Sequence, residues 1–180
     1  MKSVEYLVFS VLRFFRKISI NPFGFGNSTC FFADFFKGFD KVPAVQGIFG
    51  EKTSEVLRLL KVEFTWFSGY MYVDDTDGHI VISRNYLNSG DRTFIYLDLI
   101  HELYHVKQFM NGRELFDPKF SYVDRPTEIE AYRYTVEEAK RIGLSNEQIL
   151  FYLKTEWITS SDLDKLTKNI GLKRTEDLDR

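Results

Sequence analysis

One stretch constrains this chain more than any other: Asp98-Leu-Ile-His101-Glu102-Leu-Tyr-His105-Val-Lys-Gln108. Its apolar frame predicts a helix, and that helix carries two histidines and a glutamate into the core. At about 100° per residue, His101 and His105 lie one turn apart on the same helix face. Two imidazoles stacked in this way can hold one zinc ion. Glu102, directly after the first of them, is placed to reach a water on that metal. The chain has three histidines, and two of them are spent here.

A second helix is predicted over Pro126-Thr-Glu128-Ile-Glu130-Ala-Tyr132 and onward to Ile142. On a helical wheel Glu128 falls in the middle of the apolar stripe formed by Ile129, Ala131, Tyr132, Thr135, Val136, Ala139 and Ile142. Glu130, Arg133, Glu137 and Arg141 fall on the opposite, wet face. A lone carboxylate inside an apolar stripe needs a partner: a metal ion satisfies it, and so does an arginine. Glu128 is therefore the expected third ligand. Thr127-x-x-Glu130 reads as a capping box with Pro126 just outside it, which gives Glu130 a duller job. The 22 residues between His105 and Glu128 are enough for the second helix to return beside the first.

Two histidines and one glutamate leave the fourth position of zinc open, whereas structural sites usually close it with cysteine. The chain has one cysteine, Cys30, expected to be a small buried hydrophobe in a reducing compartment. The chemistry implied is hydrolysis of a peptide or similar amide bond, with Glu102 as general base and then general acid. Tyr122, Arg125, Tyr132 and Tyr134 are candidates to stabilise the oxyanion. Tyr132, taken as a catalytic candidate, lies one turn after Glu128 on the buried side, where it can instead order the ligands. Tyr134 lies off that arc. Two other classes fit the same residues: a metal-binding scaffold without activity that works through an aromatic surface of the 18 Phe and 10 Tyr, and a metal-free interaction protein whose histidines are core residues.

His101-Glu-Leu-Tyr-His105 together with Pro126-Thr-Glu128-Ile-Glu130-Ala resembles the gluzincin group of zinc metallopeptidases, in the compact intracellular form. The resemblance covers roughly residues 70–142. It implies that His101, His105 and Glu128 bind Zn2+, that Glu102 is the general base and acid, and that the substrate is a peptide or protein. It also likens the strand His79–Ser83 to the edge strand on which such enzymes lay an extended substrate. Tyr132 stands where the thermolysin-like branch has an aspartate, a departure from that branch.

The fold expected is α+β: a small zincin-like domain with a short, antiparallel-containing sheet, the motif helix, the glutamate helix and flanking helices. Residues 1–180 are expected to form one domain, with 1–50 an N-terminal helix and aromatic-rich extension and 144–180 C-terminal helices. Residues 1–18 read as an amphipathic helix, too interrupted by Glu5 and Arg13 to span a membrane. Without a signal-peptide cleavage pattern the expected location is cytoplasmic. Phe31–Phe39 suits either a short helix or a buried strand. Glu51–Leu60 reads as a helix and Lys61–Phe67 as a strand. Tyr70–Val73 and Gly78–Ser83 read as a hairpin closed by Asp74-Asp-Thr-Asp77-Gly78, whose aspartates are assigned to the turn and not to a cation. His79 is assigned a structural role. Asn85–Arg92 reads as loop, Thr93–Asn111 as the motif helix ended by Gly112, and Ser145-x-x-Gln148 as a helix cap. A last short helix is expected over Ser161–Asn169, stopped by Gly171. A formal charge of -2 and a pI near 6.0 imply no broad basic face, so nucleic acid is not an expected partner.

Overall fold

The computed structural model describes residues 19–20, 29–66 and 69–172; the helix expected over 1–18 lies outside the described residues. The first half is a run of short pieces: β1 (Ser19–Ile20), β2 (Thr29–Phe31), the one-turn helix α1 (Phe32–Phe35), β3 (Phe36–Lys37), α2 (Pro43–Phe49), α3 (Thr53–Leu59), β4 (Lys61–Thr65), β5 (Met71–Val73) and β6 (Ile80–Ser83). Helices follow: α4 (Arg84–Ser89), α5 (Arg92–Met110), α6 (Pro126–Arg141), α7 (Asn146–Leu153) and α8 (Ser160–Ile170). The result is an α+β domain in which a small mixed sheet lies beside a helix pair. The aromatic stretch after Thr29 is both strand and helix. It sends Phe32, Phe36 and Phe39 into the core, where Phe32 meets the other two at ring distances of 4.8 and 5.4 Å.

Four strands pair in the order β2-β4-β6-β5, with β4 and β6 parallel and the outer pairings antiparallel. Every residue of β6 is buried, as a strand covered on both faces requires. This corrects the expected position of His79–Ser83: β6 is internal and paired on both sides, and among the described residues the edge left unpaired beside the motif helix is β5. The Asp74–Gly78 turn folds the hairpin as expected, with Gly78 at φ 78 and its N–H bonded to Asp74 O at 2.9 Å, but β6 is then captured by β4.

Asp91 starts α5 by accepting from Thr93 N and Phe94 N at 2.8 and 3.1 Å, and Gly112 at φ 72 ends it. The helix is apolar almost all round because α6, α2 and β5 pack against it. Two local expectations are corrected here. Residues 84–89 form α4 and not a loop, because Ser83 Oγ caps the segment at Tyr86 N (3.4 Å) and Leu87 is buried. The capping box at the start of α6 is absent: Arg125 is the N-cap, Pro126 is the first helical residue, and Thr127 Oγ1 is committed to Leu115 O at 3.0 Å. Farther on, the Ser145–Gln148 capping box forms as expected. Cys30 is half-buried, not fully so. Among the described residues no helix is long and apolar enough to cross a membrane.

Candidate metal centre

The antiparallel return of α6 along α5 brings Glu128 against the two histidines. His101 Nε2 and His105 Nε2 lie 2.9 Å apart, and Glu128 Oε2 lies 3.2 Å from the first and 3.5 Å from the second. All three residues are buried. A tetrahedral zinc with bonds of about 2.0–2.1 Å has ligand atoms about 3.3 Å apart, so the triangle has the size such an ion needs. The donor set fits a metal chemically as well. Two imidazole nitrogens and a carboxylate oxygen all present lone pairs to one point, and without a cation only shared protons can reconcile them. That tension is visible in the titration of the trio. Burial raises the Glu128 carboxyl, but hydrogen bonds from His101 and His105 override it and hold the group well below the usual range. Burial opposes a charge on His105 too, yet the bond to Glu128 carries it up to about 8. His101 is pushed down by burial and by the His105 charge.

The three potential ligands are held from behind. Gln108, one turn beyond His105 and buried, accepts at Oε1 from His105 Nδ1 (2.7 Å). Its Nε2 donates to Thr127 O and to Glu130 Oε2, both at 3.0 Å. Arg113 closes the chain on Glu130 at 3.3 Å. Such partners fix the ring and its tautomer. His101 Nδ1 is buried without a hydrogen-bond partner among the described residues; its ring packs on Tyr132 at 4.4 Å between centroids. The Tyr132 hydroxyl meets that of Tyr122 at 2.6 Å. Burial raises both phenols above their ordinary value, so both stay protonated.

Glu102 is no part of the ligand triangle. It sits under β5, where the N–H of Val73 donates to it, and burial pushes its carboxyl up to about 8. In the β5–β6 ladder Ser83 N bonds Tyr70 O and Asp74 N bonds His79 O, both at 2.9 Å. Antiparallel alternation then turns the main-chain groups of Met71 and Val73 away from β6, toward the cleft. Two cavities open beside Glu102. One, of about 230 Å³, contains the ligand trio with Tyr72, Phe116 and Arg125. The other, of about 270 Å³, contains Asp98, Tyr132 and an aromatic wall. Met71, His101, Glu102, Tyr122 and Trp157 line both.

Of the remaining candidates, Arg125 reaches Glu128 Oε1 at 3.6 Å. Tyr134 is elsewhere: its hydroxyl donates to Ala44 O at 2.5 Å, tying α6 to α2. Asp74, Asp77 and His79 also gather three potential ligand atoms. Their bonds are those of the turn, Asp74 Oδ1 accepting from Thr76 N at 2.9 Å and Asp77 Oδ1 from His79 N at 3.2 Å, and His79 pairs with Glu63 at 3.4 Å. Gln108 and Asp98 are not among the sequence candidates, although each lies three residues outside one of the two histidines on the same helix; that spacing is a signal for Gln108, whose partner is His105 itself, but not for Asp98, whose donors are distant in the chain.

Comparison with protein-family models, with curated proteins and with solved structures finds no match.

Proposed function

We propose that the chain is a zinc-dependent peptidase with His101, His105 and Glu128 as the metal ligands. The observation that carries this is the convergence of three ligand atoms within 3.5 Å, with a non-ligand glutamate beside them in an open cleft. A zinc ion held there would supply Lewis acidity, polarising the scissile carbonyl and acidifying a water. Glu102 takes the proton of the attacking water at its carboxylate and delivers it to the leaving nitrogen. The donation from Val73 N–H keeps its carboxylate aimed. Tyr132 packs on His101 and holds the Tyr122 hydroxyl. Tyr122, which lines both cavities, offers a proton to the oxygen that gains charge. An extended peptide adds to the β5 edge through the outward main-chain groups of Met71, so that backbone contacts bind it and pockets choose its side chains.

Metal analysis of protein purified without added zinc is expected to give close to one zinc per chain. Glu102→Gln is expected to keep that zinc and the fold while hydrolysis drops by about 10²–10⁴-fold, the range for losing a general base. A variant that loses zinc in step with activity would make Glu102 a ligand. The same zinc-loaded variant should retain substrate, and mass spectrometry of what it captures identifies the physiological target.

A further inference from the structure

The larger cavity beside Glu102 holds a carboxylate that the hydrolytic machinery does not use. Asp98 stands one turn before His101 on α5 and lines this space of about 270 Å³. Its Oδ1 accepts from Tyr152 OH at 2.8 Å, and its Oδ2 accepts from Tyr86 OH. Two neutral phenols reach it from elements on either side of α5 in the chain. Among the described residues no lysine, arginine or histidine pairs with it. The buried carboxylates of α6 differ in this, since Glu128 has Arg125 and the histidines, and Glu138 has Arg141. Asp98 is half-buried and both groups that reach it are neutral, so its charge is left for a ligand entering the cavity to match.

The walls say what kind of ligand. Tyr70 meets Trp157 at 4.9 Å and Tyr86 at 4.6 Å between ring centroids, and Phe94 meets Tyr152 at 5.4 Å and Phe151 at 5.9 Å. Rings above a carboxylate suit a long aliphatic stem that ends in a cation, because the stem packs on the rings and the head gains from their faces. The rim adds one charge of each sign, Lys154 and Glu156, both exposed. The space is below the roughly 300–1,000 Å³ of pockets that swallow whole small molecules and suits one side chain. Because it shares His101 and Glu102 with the metal-side cavity, that side chain belongs to a residue next to the bond being cut.

We propose that this cavity is a specificity pocket in which Asp98 selects a lysine or arginine side chain beside the scissile bond. The proposal rests on the peptidase reading for the word scissile, while the preference for a cation on a stem rests on the cavity alone. A peptide's α-amino group carries the same charge but brings no stem to cover the rings, which favours the side chain.

The test uses zinc-loaded wild-type protein and peptides, each made both blocked at its two ends and with a free amino terminus, that otherwise differ only in arginine, lysine, citrulline or norleucine at the positions flanking each cleaved bond. Arginine is expected to exceed its neutral isostere citrulline by about 10- to 100-fold in kcat/KM, the range of a charge-assisted hydrogen bond. Asp98→Asn is expected to bring that ratio close to one, and the wild-type ratio decides the matter even if the variant folds poorly. The second arm needs no turnover: binding of N-acetylarginine amide against N-acetylcitrulline amide to the Glu102→Gln protein, followed by the fluorescence of Trp157 and by NMR. Preferred binding of the arginine amide, lost in Asp98→Asn, with no peptide ever hydrolysed would uphold the pocket and sink the peptidase. Hydrolysis that treats arginine and citrulline alike, with no preference between the amides, would overturn the pocket and leave the peptidase standing. Cleavage or binding only of peptides with a free amino terminus would reassign the carboxylate to the α-amino group and overturn the proposal.

Discussion

Glu128 and Glu138 are two buried carboxylates on one face of α6, 4% and 2% exposed, and both point at α5. They keep different company. Glu138 accepts from the Tyr96 hydroxyl and from two nitrogens of Arg141, at 2.5 and 2.6 Å, so its charge is matched and its lone pairs are filled. Glu128 has Arg125 at a distant 3.6 Å and, facing it, two imidazole nitrogens that want a cation as much as it does. Burial alone therefore says nothing about a metal. What separates the two carboxylates is the kind of partner: Glu138 is filled by the fixed donors of Tyr96 and Arg141, while Glu128, His101 and His105 share a proton at a point where a metal ion can replace it.

The largest expected effect tests this contrast directly. Glu128→Gln should cut zinc affinity by more than about 100-fold, since it removes a ligand where loss of a mere supporting partner costs about 10–100-fold. Glu138→Gln should leave the affinity of the folded protein unchanged and cost about 1–3 kcal/mol of stability, because the buried bonds from Tyr96 and Arg141 lose their charged acceptor. Competitive zinc titration and urea denaturation of each variant measure the two quantities. If the variants exchanged phenotypes, the assignment of the two glutamates would be inverted.

Gln108→Ala comes next. His105 would keep its place on α5 but lose the acceptor that fixes its ring, and zinc affinity should fall by about 10–100-fold with little change in secondary structure by circular dichroism. An unchanged affinity would mean that packing alone orients His105.

A gentler probe is pH. Burial disfavours charge on His105, but Glu128 raises its metal-free pKa to about 8, so below that pH the trio holds a proton that zinc must displace. Apparent affinity should therefore rise by about tenfold per pH unit up to about 8 and then flatten. Near pH 7 calorimetry in buffers of different ionisation enthalpy should show close to one proton released per zinc. For the metal-free protein the sign is opposite. A raised histidine pKa stabilises the fold fully below the unfolded value near 6.5, and that contribution is lost as pH rises through 8.

What could be read beforehand was local. The pairing of His101 with His105, the phase of Glu128 and the Asp74–Gly78 turn all depend on residues within a few positions of one another, and helical or turn geometry fixes them. What escaped depends on distant partners. The parallel capture of β6 by β4 moved the open edge to β5, and no periodicity within Ile80–Ser83 reports it. Asp98 gets its donors from 12 residues before and 54 residues after it. The capping box failed for a similar reason: Thr127 had a better partner in Leu115 O, across the connection between the helices. Glu138 sits at the margin of the wheel's apolar arc and is buried only because Tyr96 and Arg141 come to meet it.

Glu130 is the finest test of where ligand support ends. The wheel puts it on the wet face, and its side chain is indeed 37% exposed. Yet its Oε2 accepts from Gln108 Nε2, the same amide whose oxygen holds His105. Arg113, also exposed, takes the other side of the carboxylate. Removing Glu130 leaves Gln108 its second anchor at Thr127 O, so the amide keeps its orientation with more freedom. Glu130→Gln should therefore weaken zinc by only a few-fold, well short of the 10–100-fold that direct loss of a supporting partner costs. The double variant with Gln108→Ala should be no worse than Gln108→Ala alone, because the effect of Glu130 runs through that amide. Additive losses in this cycle would show that Glu130 reaches the metal site by another route, through the start of α6 and Glu128.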